Sequence, residues 1–346
     1  MMRNYISWAE KGYLPDFLIR FGISQLQKKR IVWSAEQSVS ANEEHHQSWV
    51  DKMRNSSIAY VPDKANEQHY EVPPEFFEYA LGTNLKYSSG YWPKGIVNLD
   101  DSELAMLKLS AERAELNDGQ SILELGCGWG SFTLFMAEKF PNSKITAVSN
   151  SKDQRKFIEN KCETKGLNNV NVITADMNDF SIEESFDRVV SIEMFEHMRN
   201  YELLLERIST WMKPKAKLFI HIFSHKDLVY PFTEDGEDDW MGKYFFSGGI
   251  MPSQRLLLYF QKDLKIESSW RLSGTHYERT SLAWLKKMDS NKDEIMRVFS
   301  NSYGKENASI WFQRWRIFFM ACEVLFGYSN GTEWGVSHYR FEKSSN

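Results

Sequence analysis

Apolar and polar positions change their period along the chain. Residues 1–85 carry helical spacing without strand punctuation, most clearly in a helix opening at Pro15, with apolar Phe17, Leu18 and Phe21 recurring at Leu26. Gln27-Lys28-Lys29-Arg30 closes that helix with positive charge, as the helix dipole favours. From residue 121, short apolar runs alternate with helical stretches. Residues 121–125, 144–149, 170–174, 186–192 and 218–223 read as strands, and 131–139, 151–165 and 201–211 as helices between them. Strand, helix, strand, helix at this spacing is the parallel βαβ pattern, and it predicts an α/β fold with a Rossmann-like doubly wound sheet. Beyond it, 226–262 reads as an acidic and aromatic insertion and 280–326 as helical, while 264–270 and 336–341 read as two closing strands. The expected organisation is an N-terminal helical region over 1–117, a ligand-binding core over 118–225, and cap helices with the last strands over 226–346.

Composition narrows the function classes. Of the 346 residues 42% are hydrophobic and 26% charged, enough for a full core and inconsistent with wholesale disorder. Lys plus Arg number 42 against 47 Asp plus Glu, a net charge of −5 that argues against a nucleic-acid binder. Mean hydropathy is −0.50. No apolar run reaches the roughly 18–20 residues of a membrane span; the nearest, Trp315 to Tyr328, carries Arg316 and Glu323. Trp8-Ala9-Glu10-Lys11 interrupts any signal-peptide core. Three cysteines without metal-ligand spacing suit a reducing compartment, so a soluble, cytoplasmic protein is expected. The Lys28-Lys29-Arg30 helix is expected to pack on its own protein rather than on a membrane; dimerisation stays open. Phe, Trp and Tyr make up 14% of the chain, core material that also suits a pocket for an aromatic or cationic ligand. Glu43 and His46 form a single Glu-x-x-His, where a di-iron bundle needs two and further Glu residues, so no metal is expected.

The first strand ends in Glu124-Leu-Gly126-Cys-Gly128-Trp-Gly130. Glycines there let backbone approach a ligand and open a helix whose amides point at it. A dinucleotide site wants G-x-G-x-x-G; here the third Gly comes one place sooner and an acid, Glu124, precedes the turn. That variant resembles motif I of class I S-adenosylmethionine-dependent methyltransferases, whose ligand has no pyrophosphate to seat. The second strand ends at Ser149-Asn150, where nucleotide-binding sheets usually carry an acid for the ribose; Asn150 can still donate and accept hydrogen bonds. Ser151-Lys-Asp-Gln154 also reads as a capping box, and the two readings are compatible. After the third strand, Asp176 and Met177 offer a carboxylate and a thioether for adenine, and Asp176 alternatively caps its own turn.

Glu193-Met-Phe-Glu196-His197 follows the fourth strand, whose end opens on the same crevice. If the segment is helical, Glu193, Glu196 and His197 share one face. Methyl transfer from a sulfonium is an in-line displacement, so an enzyme chiefly positions the acceptor and frees its lone pair. A protonated amine needs a carboxylate to hold it and a base to take its proton, which Glu196 and His197 can supply. A solvated helix start is the alternative use of that pair.

The run Glu193 to Tyr201 resembles the coclaurine N-methyltransferase family and its cyclopropane fatty acid synthase relatives. The likeness continues through Asp238-Asp-Trp240, Tyr244 to Gly249, Met251-Pro-Ser253, Leu256 to Gln261, Ser273 to Tyr277, Trp284 to Asp289 and Tyr328 to Trp334, the last belonging to the N-methyltransferase branch. The resemblance implies S-adenosylmethionine as methyl donor, S-adenosylhomocysteine as product, and a small, aromatic amine as acceptor. It implies Tyr87 and Ser88 at the cofactor's amino-acid end with Gly126 and Gly128 beside it. Ser149, Asn150 and Gln154 would reach the ribose side, and Asp176 and Met177 the adenine. Glu196 and His197 match the pair for amine binding and proton removal, with Glu71 a further acid toward the substrate nitrogen. In the synthase branch a bicarbonate is held by a Cys, a Glu, a His and a Tyr. Here Glu196, His221 and Tyr277 match, but Ser89 stands at the Cys position, which favours amine chemistry over acyl-chain modification. The acidic stretch Glu234 to Asp239 points the same way, since it would repel anionic phospholipid and draw in a cation.

Overall fold

The computed structural model describes residues 2–36, 39–60, 72–234, 236 and 239–343. Five strands pair in parallel: β1 (Ser121–Leu125), β2 (Lys144–Ser149), β3 (Val170–Thr174), β4 (Phe186–Ile192) and β5 (Met212–His225). Strands β6 (Tyr230–Pro231) and β7 (Ile250–Met251) form a separate small ribbon. Strands β8 (Leu264–Ser273) and β9 (Trp334–Lys343) return antiparallel, giving the seven-stranded order β3-β2-β1-β4-β5-β9-β8. The α/β, doubly wound class read from the sequence is the one observed. Near-continuous burial of β1 and β2 explains why they read as unbroken apolar runs.

The chain leaves β1 for β2 and β3 on one side and returns to β4 on the other. At this switch the C-terminal ends of two adjacent strands diverge, which is where open α/β sheets hold ligands. Helix Ser131–Lys139 starts directly behind the β1 turn.

The later elements differ from the sequence reading in extent. β5 extends on both sides of the apolar stretch 218–223: residues 212–217 are interrupted by Lys213, Lys215 and Lys217, while Ser224 and His225 are buried yet polar. Their partners make this tolerable: Ser224 Oγ meets Ser337 Oγ at 2.7 Å, and His225 Nδ1 accepts from the amides of Asp227 and Leu228 at 2.9 and 2.8 Å. The helical stretch 280–326 is three helices, Gly274–Ser290, Lys292–Tyr303 and Lys305–Gly327, broken at Asn291 and at Gly304 (φ +83°).

The N-terminal basic helix, Asp16–Glu36, extends past Arg30 and packs against Lys305–Gly327. Arg20 pairs with Glu323 and Arg316 with Asp16, each at 2.8 Å, and Arg30 lies over the Tyr230 ring at 3.9 Å. Among the described residues no helix is long and apolar enough to cross a membrane. Much of the aromatic content forms one cluster centred on the fully buried Trp315, whose ring lies 4.5 Å from Phe76 and 5.0 Å from Phe245. Phe318, whose ring lies 5.6 Å from that of Trp315, joins this cluster to the wall of the crevice.

Candidate active site

The glycine turn after β1 is shaped for close approach. Gly126 and Gly128 adopt φ of +76° and +53°, a region that penalises side chains. A Cβ at Gly126 would come within 2.8 Å of Met194, whereas one at Gly128 would meet nothing within 4 Å. Gly128 therefore presents bare backbone to open space. Glu124, at the end of β1, accepts from Thr133 Oγ1 at 2.5 Å, and burial pushes its carboxyl up to about 8.

Two cavities meet at this turn and share Gly126, Gly128, Gln154 and His197 in their walls. The first is bounded by Tyr87, Ser88, Glu124, Glu193, Glu196 and Tyr277 under an apolar roof that includes Phe223, Phe246, Phe318 and Phe326. The second is bounded by Ser149, Asn150, Asp176 and Met177, with Ala59 closing over it. The site residues read from β1, β2, β3 and β4 thus come together. Glu71 lies outside the described residues, as does part of the acidic stretch 234–239.

The capping reading at β2 holds in modified form. Ser151 Oγ caps the following helix by accepting from the Gln154 amide at 3.3 Å. The Gln154 side chain does not return the bond to Ser151; its Oε1 accepts from Ser149 Oγ at 2.6 Å. Its Nε2 is buried without a partner at the junction of the two cavities. Asp176 accepts from the Asn178 amide at 2.7 Å and still borders the second cavity.

The residues after β4 converge differently from a helical face. Only Phe195–His197 turns helically, as a single 3-10 turn, and Glu193 precedes it with φ +48°. The Glu193 amide donates to the His221 carbonyl at 2.8 Å, which holds this residue to the sheet edge and delays the turn. A left-handed non-glycine residue costs on the order of 1–3 kcal/mol, and such strain gathers where a side chain must be aimed. Here it aims the Glu193 carboxylate at three donors: Tyr277 OH at 2.8 Å, His221 Nε2 at 3.2 Å and the Ser89 amide at 3.4 Å.

His221 corrects one expectation: it stands behind Glu193 and does not form part of the cavity wall, so it contacts a carboxylate of the chain rather than a substrate. The donors that could grip a free anion are already engaged. Ser89 Oγ, at the position where the resemblance looks for a Cys, donates to the Gly90 carbonyl at 3.0 Å.

Glu196 is 1% exposed, and burial together with the nearby Glu193 pushes its carboxyl well above the ordinary range. Its Oε2 is buried without a hydrogen-bond partner. His197 borders both cavities, its ring stacked on Phe246 at 4.6 Å. The turn beneath them is braced by Tyr201, whose hydroxyl donates to the Phe195 carbonyl at 2.9 Å. A buried, unpaired carboxyl next to an accessible imidazole can bind a cation and move a proton.

Sequence reading missed Lys86 and Glu103. Lys86 is buried, its ammonium donates to Ser88 Oγ, and burial lowers its pKa while Glu193 opposes that shift. Glu103 accepts from the amides of Gly82 and Asn84 at 2.9 and 3.0 Å and so fixes the loop that delivers Tyr87 and Ser88. An ionisable residue directly before the Tyr87-Ser88 motif was the available signal for Lys86; nothing local marks Glu103.

Glu43 and His46, the single Glu-x-x-His, dock their helix instead: Glu43 accepts from Arg255 at 2.7 Å and Tyr259 at 2.8 Å, and His46 meets Ser253 Oγ at 2.6 Å. Among the described residues no three His, Cys, Asp or Glu side chains gather as a metal site requires.

The open face of Gly128 and the unpaired Gln154 Nε2 suit a ligand with a nucleoside and an amino-acid end. Comparison with known proteins agrees. Residues 59–332 match the family described as mycolic acid cyclopropane synthetase. The chain is 39% identical to the (S)-coclaurine N-methyltransferase of Papaver somniferum over 346 residues, covering 99% of this chain and 97% of that one. It is 37% identical to the pavine N-methyltransferase of Thalictrum flavum subsp. glaucum over 98% of this chain and 96% of the other. A crystal structure of coclaurine N-methyltransferase bound to N-methylheliamine and SAH matches with a TM-score of 0.95 at 37% identity, covering 98% of this chain and 99% of that chain. The chain belongs to the coclaurine N-methyltransferase family, within the mycolic acid cyclopropane synthetase group, and is an S-adenosylmethionine-dependent N-methyltransferase.

Proposed function

We propose that this enzyme methylates the nitrogen of a small aromatic amine, with Glu196 holding the amine and His197 taking its proton. The observation that carries this reading is the buried Glu196 carboxyl, its Oε2 without a partner, beside His197 in the wall of the cavity that contains the Gly126–Gly128 turn. Coclaurine and pavine in the names of the relatives are in keeping with it.

The bound cofactor supplies an electrophilic methyl group on a positively charged sulfur. Tyr87, Ser88, Gly126 and Gly128 would hold its amino-acid end, and Ser149, Asn150, Gln154, Asp176 and Met177 its nucleoside. The rest falls to side chains of the acceptor cavity. A protonated amine entering it leaves water, and its charge is compensated by Glu196, whose carboxyl gives up its proton to solvent as the cation comes to stand beside it. His197 accepts the proton, because a nitrogen lone pair must be free before it can form the new N–C bond as the C–S bond breaks. Glu193, fixed by Tyr277 and His221, stands on the same side; burial pushes its carboxyl up to about 7, against the pull of Lys86 and Tyr277. The aromatic rings of the roof offer π faces to a cationic ring system. The helices within 226–346 act in this reading as the cap over the acceptor, while β8 and β9 close the sheet. Acyl-chain chemistry is disfavoured because the donors suited to a free bicarbonate already hold Glu193.

An acceptor panel tests this. Phenethylamines, tetrahydroisoquinolines and vesicles of unsaturated phospholipid are each offered with methyl-labelled S-adenosylmethionine. Label is expected on the nitrogen of an aromatic amine and absent from lipid. Label confined to acyl chains would overturn the proposal.

A further inference from the structure

Behind the catalytic carboxyls a chain of hydrogen bonds runs out of the cavity through the sheet. His221 on β5 and His338 on β9 are register partners, both 0% exposed. Glu193 Oε1 meets His221 Nε2 at 3.2 Å, His221 Nδ1 meets His338 Nε2 at 2.9 Å, and His338 Nδ1 meets the Arg113 guanidinium at 2.8 Å. Arg113 ends helix Leu99–Arg113, with its guanidinium half-buried and 4.9 Å from the Trp270 ring.

The chemistry of these groups allows one proton arrangement. A guanidinium only donates, so His338 Nδ1 must accept and its own proton sits on Nε2. His338 Nε2–H then donates to His221 Nδ1, which puts the His221 proton on Nε2, facing the carboxylate. An imidazolium at His221 would carry protons on both nitrogens and leave His338, between two donors, with no proton at all. Burial and the cations Arg113 and Lys86 hold both rings well below the usual histidine range.

We infer that Arg113, through His338, fixes the tautomer of His221 so that Nε2–H always faces Glu193, making Arg113 and His338 positioning residues for the carboxylate of the active site. Every bond in the row points toward Glu193. The row cannot carry a proton outward, because its far end would have to accept one at a guanidinium. It is a lock, and no proton taken from the amine leaves along it. A wrong tautomer would turn a nitrogen lone pair on Glu193 and release it from one of its three donors. The function of this lock rests on the proposed role of Glu193 in the reaction; its existence does not.

Long-range proton–nitrogen NMR on protein labelled with 15N-histidine tests it, with His221→Gln and His338→Gln assigning the two signals among the 8 histidines. In the unmodified enzyme at pH 7 both rings are expected neutral with the proton on Nε2. Arg113→Met is expected to mix the His338 and His221 tautomers and lower kcat about 10-fold with the cofactor KM within about twofold; Arg113→Lys, which keeps a donor, recovers most of the rate. A His338 proton on Nδ1, or an imidazolium at either ring, in the unmodified enzyme would overturn the inference, as would unchanged tautomers in Arg113→Met. Altered tautomers with unchanged kcat would leave the lock standing and count against a part for Glu193 in the reaction.

Discussion

Replacing Glu196 by Gln and His197 by Ala together is expected to abolish methyl transfer, with kcat down at least about 1000-fold, while S-adenosylmethionine binds within about threefold of normal. The amide keeps the shape of a carboxyl whose Oε2 is unpaired, so the fold loses little. It loses the ability to ionise beside a cation. Removing the imidazole then leaves no group at the junction of the two cavities to take a proton from the acceptor. The glycine turn itself is unchanged and His197 is one of many residues lining the second cavity, so cofactor binding is expected to survive. Radiometric turnover and equilibrium binding of labelled cofactor separate the two quantities. A double variant that still turns over within tenfold of normal would refute the roles given to this pair.

Gly128→Leu is expected to weaken S-adenosylmethionine binding by about 100-fold or more, equivalent to roughly 2.7 kcal/mol. A Cβ there meets no protein atom within 4 Å, and Gly128 lines both cavities, so the added bulk is expected to compete with the cofactor rather than with the fold. The backbone cost of a side chain at φ +53° is about 1–2 kcal/mol, a loss of a few degrees in melting temperature for the free protein. Calorimetric binding together with a melting curve checks both halves. Normal cofactor affinity in a folded Gly128→Leu protein would place the cofactor elsewhere.

The sequence made the sheet legible wherever burial and apolarity coincide. Strands such as β1 and β2 are covered on both faces and read as short apolar runs. β5 reads short because its first residues alternate with lysines and because Ser224, at its far end, is buried by virtue of a partner on β9 more than a hundred residues away. The same limit applies to the site. The glycine turn and the Glu193–His197 segment are local, so their residue types and spacing announced them. Glu103, His338 and Arg113 act through bonds closed only by the tertiary fold, and no spacing rule connects Arg113 to Glu193. The Glu193 conformation was also out of reach: a helical face was the natural reading of i, i+3, i+4, and the bond from its amide to the His221 carbonyl overrides it.

In the proposed reaction Glu196 and His197 face the acceptor nitrogen. A crystal structure of the enzyme with S-adenosylhomocysteine and an aromatic amine acceptor tests it most directly. The amine nitrogen is expected about 3 Å from a Glu196 oxygen or a His197 ring nitrogen, on the side of the cofactor sulfur. A nitrogen held by other groups, with Glu196 and His197 both out of hydrogen-bond reach, would contradict it.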